Sequence, residues 1–393
     1  MSNELFLSLK LKISSLSIFK NLKNHALLQN FVSLVDEIEE ENKLYFYSNF
    51  ISLIYENGGN LTDFVKKIVF EDENVYIKMV SNKAKIPSYI QKSLELELSY
   101  LEEFSSLTRK DFLDEMSSSL ELEDFESYKT NLKEEYEKRL SNIEKFGYGI
   151  FASSTMFRFS EDKDIVPIIS ADLTRLSDFI GYDLERNKLL DNTNSFMNNH
   201  PAFNVLLYGD AGTGKSSSVK AVVNHFSKRG LRLIELRKDQ IQDLPLVMEK
   251  IRDNPLKFII FIDDLSFNKN DDNFSMLKAI LEGSASSKSE NALIYCTSNR
   301  RHLIKESFSE RGEDDLHKND TIQETLSLVE RFGLTIAFYK PDKKLYLEIV
   351  HELVKENGIN KDLAQIDIQA EEFALRKGSR SPRCARQFIK SLM

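Results

Sequence analysis

The chain holds two cysteines, seven prolines and 14 glycines in 393 residues. Cys296 and Cys384 are too few for a disulfide framework, and the six histidines stand at no metal-ligand spacing with them. A reducing cytoplasm is the compartment expected. The longest strongly apolar runs, such as Phe258–Ile262, fall far short of the ~20 residues that span a bilayer. Glu4, Lys10 and Lys12 also interrupt the leucine pattern of the N-terminus, so neither a membrane span nor a signal peptide is expected. Glycine is about half as frequent as usual, so where it clusters the backbone demands it. The first 146 residues contain only Gly58 and Gly59 and are rich in Leu, Glu, Lys and Ser. That composition excludes collagenous, linker-like and disulfide-scaffold classes and favours helices.

Charge is unevenly placed. Residues 1–150 hold 18 Lys and Arg against 26 Asp and Glu, a net of −8 out of −9 for the whole chain. An acidic chain is not drawn to nucleic acid by bulk charge. The local exception runs from Arg376 to Lys390, with six basic residues and no acid. A solvated helix face is the simpler account of Arg376, Lys377, Arg380, Arg386 and Lys390, and a nucleic-acid patch is the alternative.

Residues 1–146 read as a mainly α-helical N-terminal domain with loops at Asn57-Gly58-Gly59-Asn60 and around Pro87. Phe125, Tyr128, Leu132, Tyr136, Leu140 and Ile143 recur three and four apart, which predicts one apolar stripe on a charged helix, and Leu94, Leu98 and Leu101 repeat the pattern. Such stripes are packing faces within a helical domain or, alternatively, an interface for a partner. Residues 147–171, with two glycines, the charged Glu161–Asp164 and Pro167, read as a linker or short β segment. Beyond it, Asn204–Tyr208, Leu231–Leu236, Phe258–Ile262, Leu293–Cys296 and Leu334–Phe338 are short apolar runs between helical stretches. Five such strands predict an α/β domain over 172–340, its parallel sheet covered by helices on both faces. Residues 341–393 fit a helical lid carrying Leu345, Ile349 and Leu353, then Phe373 and Leu375, then Ala385, Phe388 and Ile389, with Pro341 and Pro382 where helices begin.

Gly209-Asp210-Ala211-Gly212-Thr213-Gly214-Lys215-Ser216 matches G-x-x-x-x-G-K-[ST] between a strand and a helix that continues through Ser217. Glycines let backbone N–H groups close around phosphate oxygens, and the helix start adds its positive dipole end. Lys215 would reach the β- and γ-phosphates, and the Ser216 hydroxyl would complete a Mg2+ shell. The strand Phe258–Ile262 ends in Asp263 and Asp264. Asp263 suits the metal, while Asp264 can orient or deprotonate an attacking water. Many ATPases of this kind carry Glu in the second place, and the shorter Asp leaves room for slow hydrolysis. Past the next strand, Thr297-Ser298-Asn299 places a side chain that both donates and accepts, Asn299, between the two sites.

Residues from about 172 onward resemble an AAA+ ATPase module, with Ile180-Gly181-Tyr182 in the place of the adenine-side motif. Ser327-Leu328-Val329-Glu330-Arg331-Phe332-Gly333 resembles the segment that presents an arginine finger, although Arg300, Arg301 and Arg311 compete with Arg331 for that role. Gly378 to Arg386 resembles the sensor-2 helix, with Arg383 at the matching arginine. The stretches NVLLYGDAGTGKSSSVKA, FIDDLSF, IYCTSNRRHLI and LVERFGL together are similar to a bacterial AAA+ family known as domain of unknown function 815. The resemblance implies ATP and Mg2+ but no substrate. An arginine offers permanent, planar charge to a phosphoryl group, and one supplied in trans makes hydrolysis depend on a neighbouring copy.

Three functions follow for comparison. The first is an oligomeric ATP-hydrolysing machine whose N-terminal domain binds a protein client. The second is a helicase-loader-like ATPase acting on DNA or a helicase, since such proteins also carry the Asp-Asp-Leu seen at Asp263-Asp264-Leu265. The third, a small-molecule kinase, is opposed by the arginines placed before the fifth strand and on a C-terminal helix.

Overall fold

The apolar runs after residue 200 become five parallel strands, and a hairpin before them adds two more. In this computed structural model, residues 2–116, 121–169, 174–267, 272–282, 290–299 and 327–393 are described. One unit comprises Met1–Ser153 with Asp253–Pro255, and a second Ser154–Arg252 with Leu256–Met393.

The first unit is helical: α1 (Ser2–Ser14), α2 (Ala26–Asp36), α3 (Glu40–Glu56), α4 (Leu61–Glu71), α5 (Val75–Ser81), α6 (Ser88–Ser105), α7 (Arg109–Glu115), α8 (Leu132–Leu140), α9 (Ile143–Phe146) and α10 (Ile150–Ser153). Phe112 is the hub of its core, with ring centroids of Phe6 at 5.0 Å and Phe50 at 5.2 Å, while Phe31 lies 5.2 Å from Phe6. Each such buried ring contributes about 1.5–3 kcal/mol. Glu97, only 4% exposed, is stabilised by accepting from the backbone N–H groups of Ser17, Ile18 and Phe19 and from the Ser17 hydroxyl at 2.6 Å. Leu94, Leu98 and Leu101 are buried on α6 as their spacing predicts.

The second predicted stripe does not form one helix. Asn131 accepts from the Glu134 N–H and caps α8 at Leu132, while Phe125 and Tyr128 lie before it in extended chain. The backbone of this segment is engaged elsewhere: Glu126 bridges Asn60, and the Tyr128 N–H donates to Thr62 Oγ1 at 2.9 Å. Local spacing could not register those distant acceptors.

In the second unit the strands are β1 (Met156–Phe159), β2 (Ile165–Pro167), β3 (Val205–Gly209), β4 (Leu231–Leu236), β5 (Lys257–Ile262), β6 (Ala292–Ser298) and β7 (Leu334–Phe338), ordered β2-β1-β4-β5-β6-β3-β7. Residues 156–167, read as linker or β segment, are thus part of the sheet: β1 pairs antiparallel with β2 and parallel with β4. The helices are α11 (Asp183–Met197), α12 (Lys215–Phe226), α13 (Leu244–Ile251), α14 (Asp272–Leu281), α15 (Lys343–Glu356), α16 (Leu363–Lys377) and α17 (Pro382–Leu392). Val205, Leu207, Leu233, Ile259 and Phe261 pack against Leu189, Phe196, Val219, Val222 and Val223 of α11 and α12. The alternate residues Leu206, Ile234 and Ile260 are equally buried, so both faces of the sheet are covered.

Helices α15 to α17 bury Ile349, Leu353, Ala370, Ala374, Ala385, Phe388 and Ile389 together, with Leu345 and Phe373 packed on them. Leu375, expected in this core, is 73% exposed, because the neighbouring Ala374 faces inward instead. Pro382 opens α17 as its fixed φ allows, whereas Pro341 precedes the cap Asp342 of α15.

Candidate active site

The strand order sets the site. β6 lies between β3, which feeds the glycine loop, and β5, which ends in the paired acids. In a parallel sheet all three carboxyl ends open on one edge, so Lys215, Asp263, Asp264 and Asn299 converge there.

At Gly209 the backbone turns with φ of 130°, and a side chain there would collide with the Phe338 carbonyl of β7. Asp210 is then fixed on both sides: its N–H donates to Phe338 O at 2.9 Å, and its Oδ2 accepts from the Lys340 N–H at 2.8 Å. Thr213 Oγ1 donates to Asp210 O at 2.9 Å and closes the loop on itself. Ala211 stands exposed at its crest, and Ser216 and Ser217 lie in the first turn of α12.

Lys215 is 6% exposed, and its ammonium spends its three donors on Gly209 O at 2.9 Å, Asp210 O at 2.8 Å and Asn299 Oδ1 at 3.0 Å. Burial lowers its pKa, against the opposing pull of the Asp210, Asp263 and Asp264 carboxylates. Ser216 Oγ donates to Asp263 Oδ1 at 2.6 Å. Asp264 has the left-handed φ of 52°, which aspartate tolerates better than most residues, and its Oδ1 accepts from Asn299 Nδ2 at 2.7 Å. One amide therefore links the lysine of the loop to the second acid.

Arg383 lies beside the loop: its N–H donates to Gly212 O at 3.3 Å, and a side chain added at Gly212 would come within 3.2 Å of Arg383 Cβ. The Ile180-Gly181-Tyr182 segment also reaches the loop. Phe179, just before Ile180, lies 3.7 Å from where a Cβ on Gly214 would stand, and Leu345 of α15 abuts Gly181. Tyr182 stacks on Phe338 at 5.5 Å and donates from its hydroxyl to Tyr339 O at 2.5 Å. Ile180, Gly181, Tyr182 and Leu345 line a cleft of about 650 Å3.

Arg331 shares none of these described contacts. Its Nη2 is 2.6 Å from Glu282 Oε1, both groups more than a third exposed. Arg300, Arg301 and Arg311 lie outside the described residues. The basic C-terminal stretch is partly spoken for: Arg380 is bidentate on Glu371 at 3.0 and 2.8 Å, and Arg386 donates to Asp178 O at 3.1 Å. Sequence reasoning gave no role to Phe338, Lys340 or Thr297. The first two hold Asp210 through their backbone, which no motif reports, while Thr297 stands two residues before Asn299.

The residues fit a nucleotide with Mg2+. The Ser216 hydroxyl beside the Asp263 carboxylate is an all-oxygen pair of the kind a hard cation takes. Among the described residues there is no group of three or more His, Cys, Asp or Glu that could hold a metal unaided. Mg2+ commonly completes its shell with phosphate oxygens and water.

Sheet order, glycine loop, paired acids and helical lid define a P-loop AAA+ ATPase fold. The chain belongs to the family described as protein of unknown function (DUF815), whose model matches residues 152–393. No curated protein matches it in sequence. Similar solved structures include a RuvB mutant of Thermotoga maritima, at 16% identity and a TM-score of 0.39, covering 55% of this chain and 63% of that one. Another is the Thermotoga maritima RuvB Holliday junction branch migration motor, at 14% identity and a TM-score of 0.35, over 56% and 72% of the two chains. The present chain thus spans under two thirds of the first of these. Among the described residues no helix is long and apolar enough to cross a membrane.

Proposed function

We propose that the protein binds ATP with Mg2+, hydrolyses it as a homo-oligomer in the cytoplasm, and couples hydrolysis to remodelling or regulating a protein client held by the N-terminal helical unit. The observation that carries the reading is the Asn299 amide joined to both Lys215 and Asp264, beside Ser216 on Asp263. A lysine, a hydroxyl–carboxylate pair and a separate carboxylate thus meet at one loop. Lys215 and the loop N–H groups would bind the phosphates, and Ser216 and Asp263 would hold the metal. Mg2+ held there would supply charge neutralisation on the phosphate oxygens. Asp264, oriented by Asn299, would align the attacking water and take its proton. Arg383 would sense phosphate in the same chain, and Arg331 would reach the site of a neighbouring copy.

The helicase-loader reading keeps its support from Asp263-Asp264-Leu265. It is weakened by the pairing of Arg380 and Arg386 within the chain and by the net acidic charge. Stimulation of ATPase activity by single-stranded DNA at low salt would favour it.

The test is Mg2+-dependent ATPase activity of the full chain against protein concentration, with Lys215→Ala and Asp264→Asn alongside. Activity per copy should rise with concentration, Lys215→Ala should lose ATP binding, and Asp264→Asn should bind without turnover. A wild-type chain with no ATP binding overturns the proposal.

A further inference from the structure

We infer that Thr297 is a positioning residue that sets both acids of the site, an inference resting on the ATPase reading above. Thr297 is the penultimate residue of β6, is 2% exposed, and follows Cys296, the residue paired with Ile262 at the end of β5. Its hydroxyl serves the two acids in opposite senses. It donates to Asp263 Oδ1, and it accepts from the Asp264 N–H at 2.9 Å. Its backbone carbonyl takes the next N–H as well, from Leu265 at 2.7 Å. Three successive residues, Asp263, Asp264 and Leu265, are therefore fastened to one threonine.

Two consequences follow. Asp263 Oδ1 accepts from Thr297 Oγ1, from Ser216 Oγ at 2.6 Å and from the Asp264 N–H at 3.2 Å, which fixes the carboxylate plane. Asp263 Oδ2 accepts no hydrogen bond among the described residues, which leaves its lone pairs for a cation. Asp264, in its left-handed backbone, keeps that conformation because acceptors await its own N–H and that of Leu265. The β-branched threonine suits the task, since its χ1 is stiff on a strand and holds the hydroxyl in place. Asn299, two residues on, then meets the Asp264 carboxylate.

The test separates the hydroxyl from the bulk of the side chain. Thr297→Val keeps the shape and removes the hydroxyl, and Thr297→Ser keeps the hydroxyl. Turnover and the Mg2+ concentration giving half-maximal nucleotide affinity are measured for each, with nucleotide affinity in EDTA as the control. Loss of such an outer-shell partner usually costs about 10–100-fold. Thr297→Val should therefore fall at least about tenfold in turnover and need several-fold more Mg2+, with affinity in EDTA unchanged. Thr297→Ser should restore both to within about threefold. If Thr297→Val does not fold, Thr297→Ala replaces it with the same expectation. Wild-type Mg2+ dependence and turnover in the hydroxyl-free variant overturn the role of Thr297, as does a Thr297→Ser variant equally impaired. A wild-type chain that does not bind ATP overturns the reading of the site itself, and Thr297 with it.

Discussion

Asn299 donates from Nδ2 to Asp264 Oδ1 at 2.7 Å while its Oδ1 accepts from Lys215. The amide is oriented by a cation on one side and an anion on the other, so its donor end is committed to Asp264. Replacing it by alanine removes the only described side-chain donor to that carboxylate. Turnover of Asn299→Ala should fall at least about tenfold, equivalent to about 1.4 kcal/mol of barrier, with ATP binding retained. Steady-state ATPase rates beside nucleotide titration check this. Unchanged turnover would remove Asn299 from the mechanism.

Gly209→Ala should be destabilising as well as inactivating. The residue has φ of 130°, and the added methyl would meet the Phe338 carbonyl, which is main chain and cannot swing aside. Such strain costs on the order of 1–3 kcal/mol before the collision is counted. Thermal melting should shift down by at least about 3 °C for a unit of this size. A variant melting with wild type would show that the strand end gives way freely.

Arg331 should be cheap to release from Glu282. A half-exposed ion pair at 2.6 Å is worth roughly 0.2–1 kcal/mol, far less than a guanidinium gains on transferring phosphate charge. Glu282→Gln should therefore leave turnover within about twofold, the equivalent of under 1 kcal/mol. Arg331→Ala should lower it on the order of 100-fold or more while sparing ATP affinity. Mixing Arg331→Ala with an Asp264→Asn variant, each inactive alone, should regenerate activity if the finger acts in trans. No recovery in the mixture speaks against that arrangement.

Glu371 makes the lid sensitive to acid. The bidentate Arg380, aided by Lys343, holds its pKa below the usual carboxylate range. A lowered acid stabilises fully above its unfolded pKa and loses that contribution as pH falls through the folded value. Arg380 is more than a third exposed, so water screens the pair and the effect is small. Arg380→Ala should melt below wild type at neutral pH, and the gap should close below pH 4.5, glutamate's ordinary value. A gap constant across that range would assign the effect to packing.

Much of the second unit was legible because its signals are local. Runs of β-branched and aromatic residues marked five strands, and Gly209 to Ser216 marked the turn from strand to helix. Asp263, Asp264 and Asn299 could be ordered beside it from their places at strand ends. What escaped is long-range. The β1–β2 hairpin is four residues and three, too short to stand out from its charged surroundings. Phe125 and Tyr128 have helical spacing, but the backbones of Glu126 and Tyr128 pair with residues some 65 positions away. The pairing of Arg331 with Glu282 depends on where the chain returns, which no spacing encodes.

The end of β7 carries a last implication. Phe338 takes the Asp210 N–H and the face of Tyr182, Tyr339 takes the Tyr182 hydroxyl, and the Lys340 N–H holds the Asp210 carboxylate. Tyr182 and the glycine loop are thus riveted to the same three links of chain, which lie a single strand downstream of Arg331 and Gly333. Any displacement of the segment that carries Arg331 would travel along one short rod and tilt the two jaws of the cleft as a single piece.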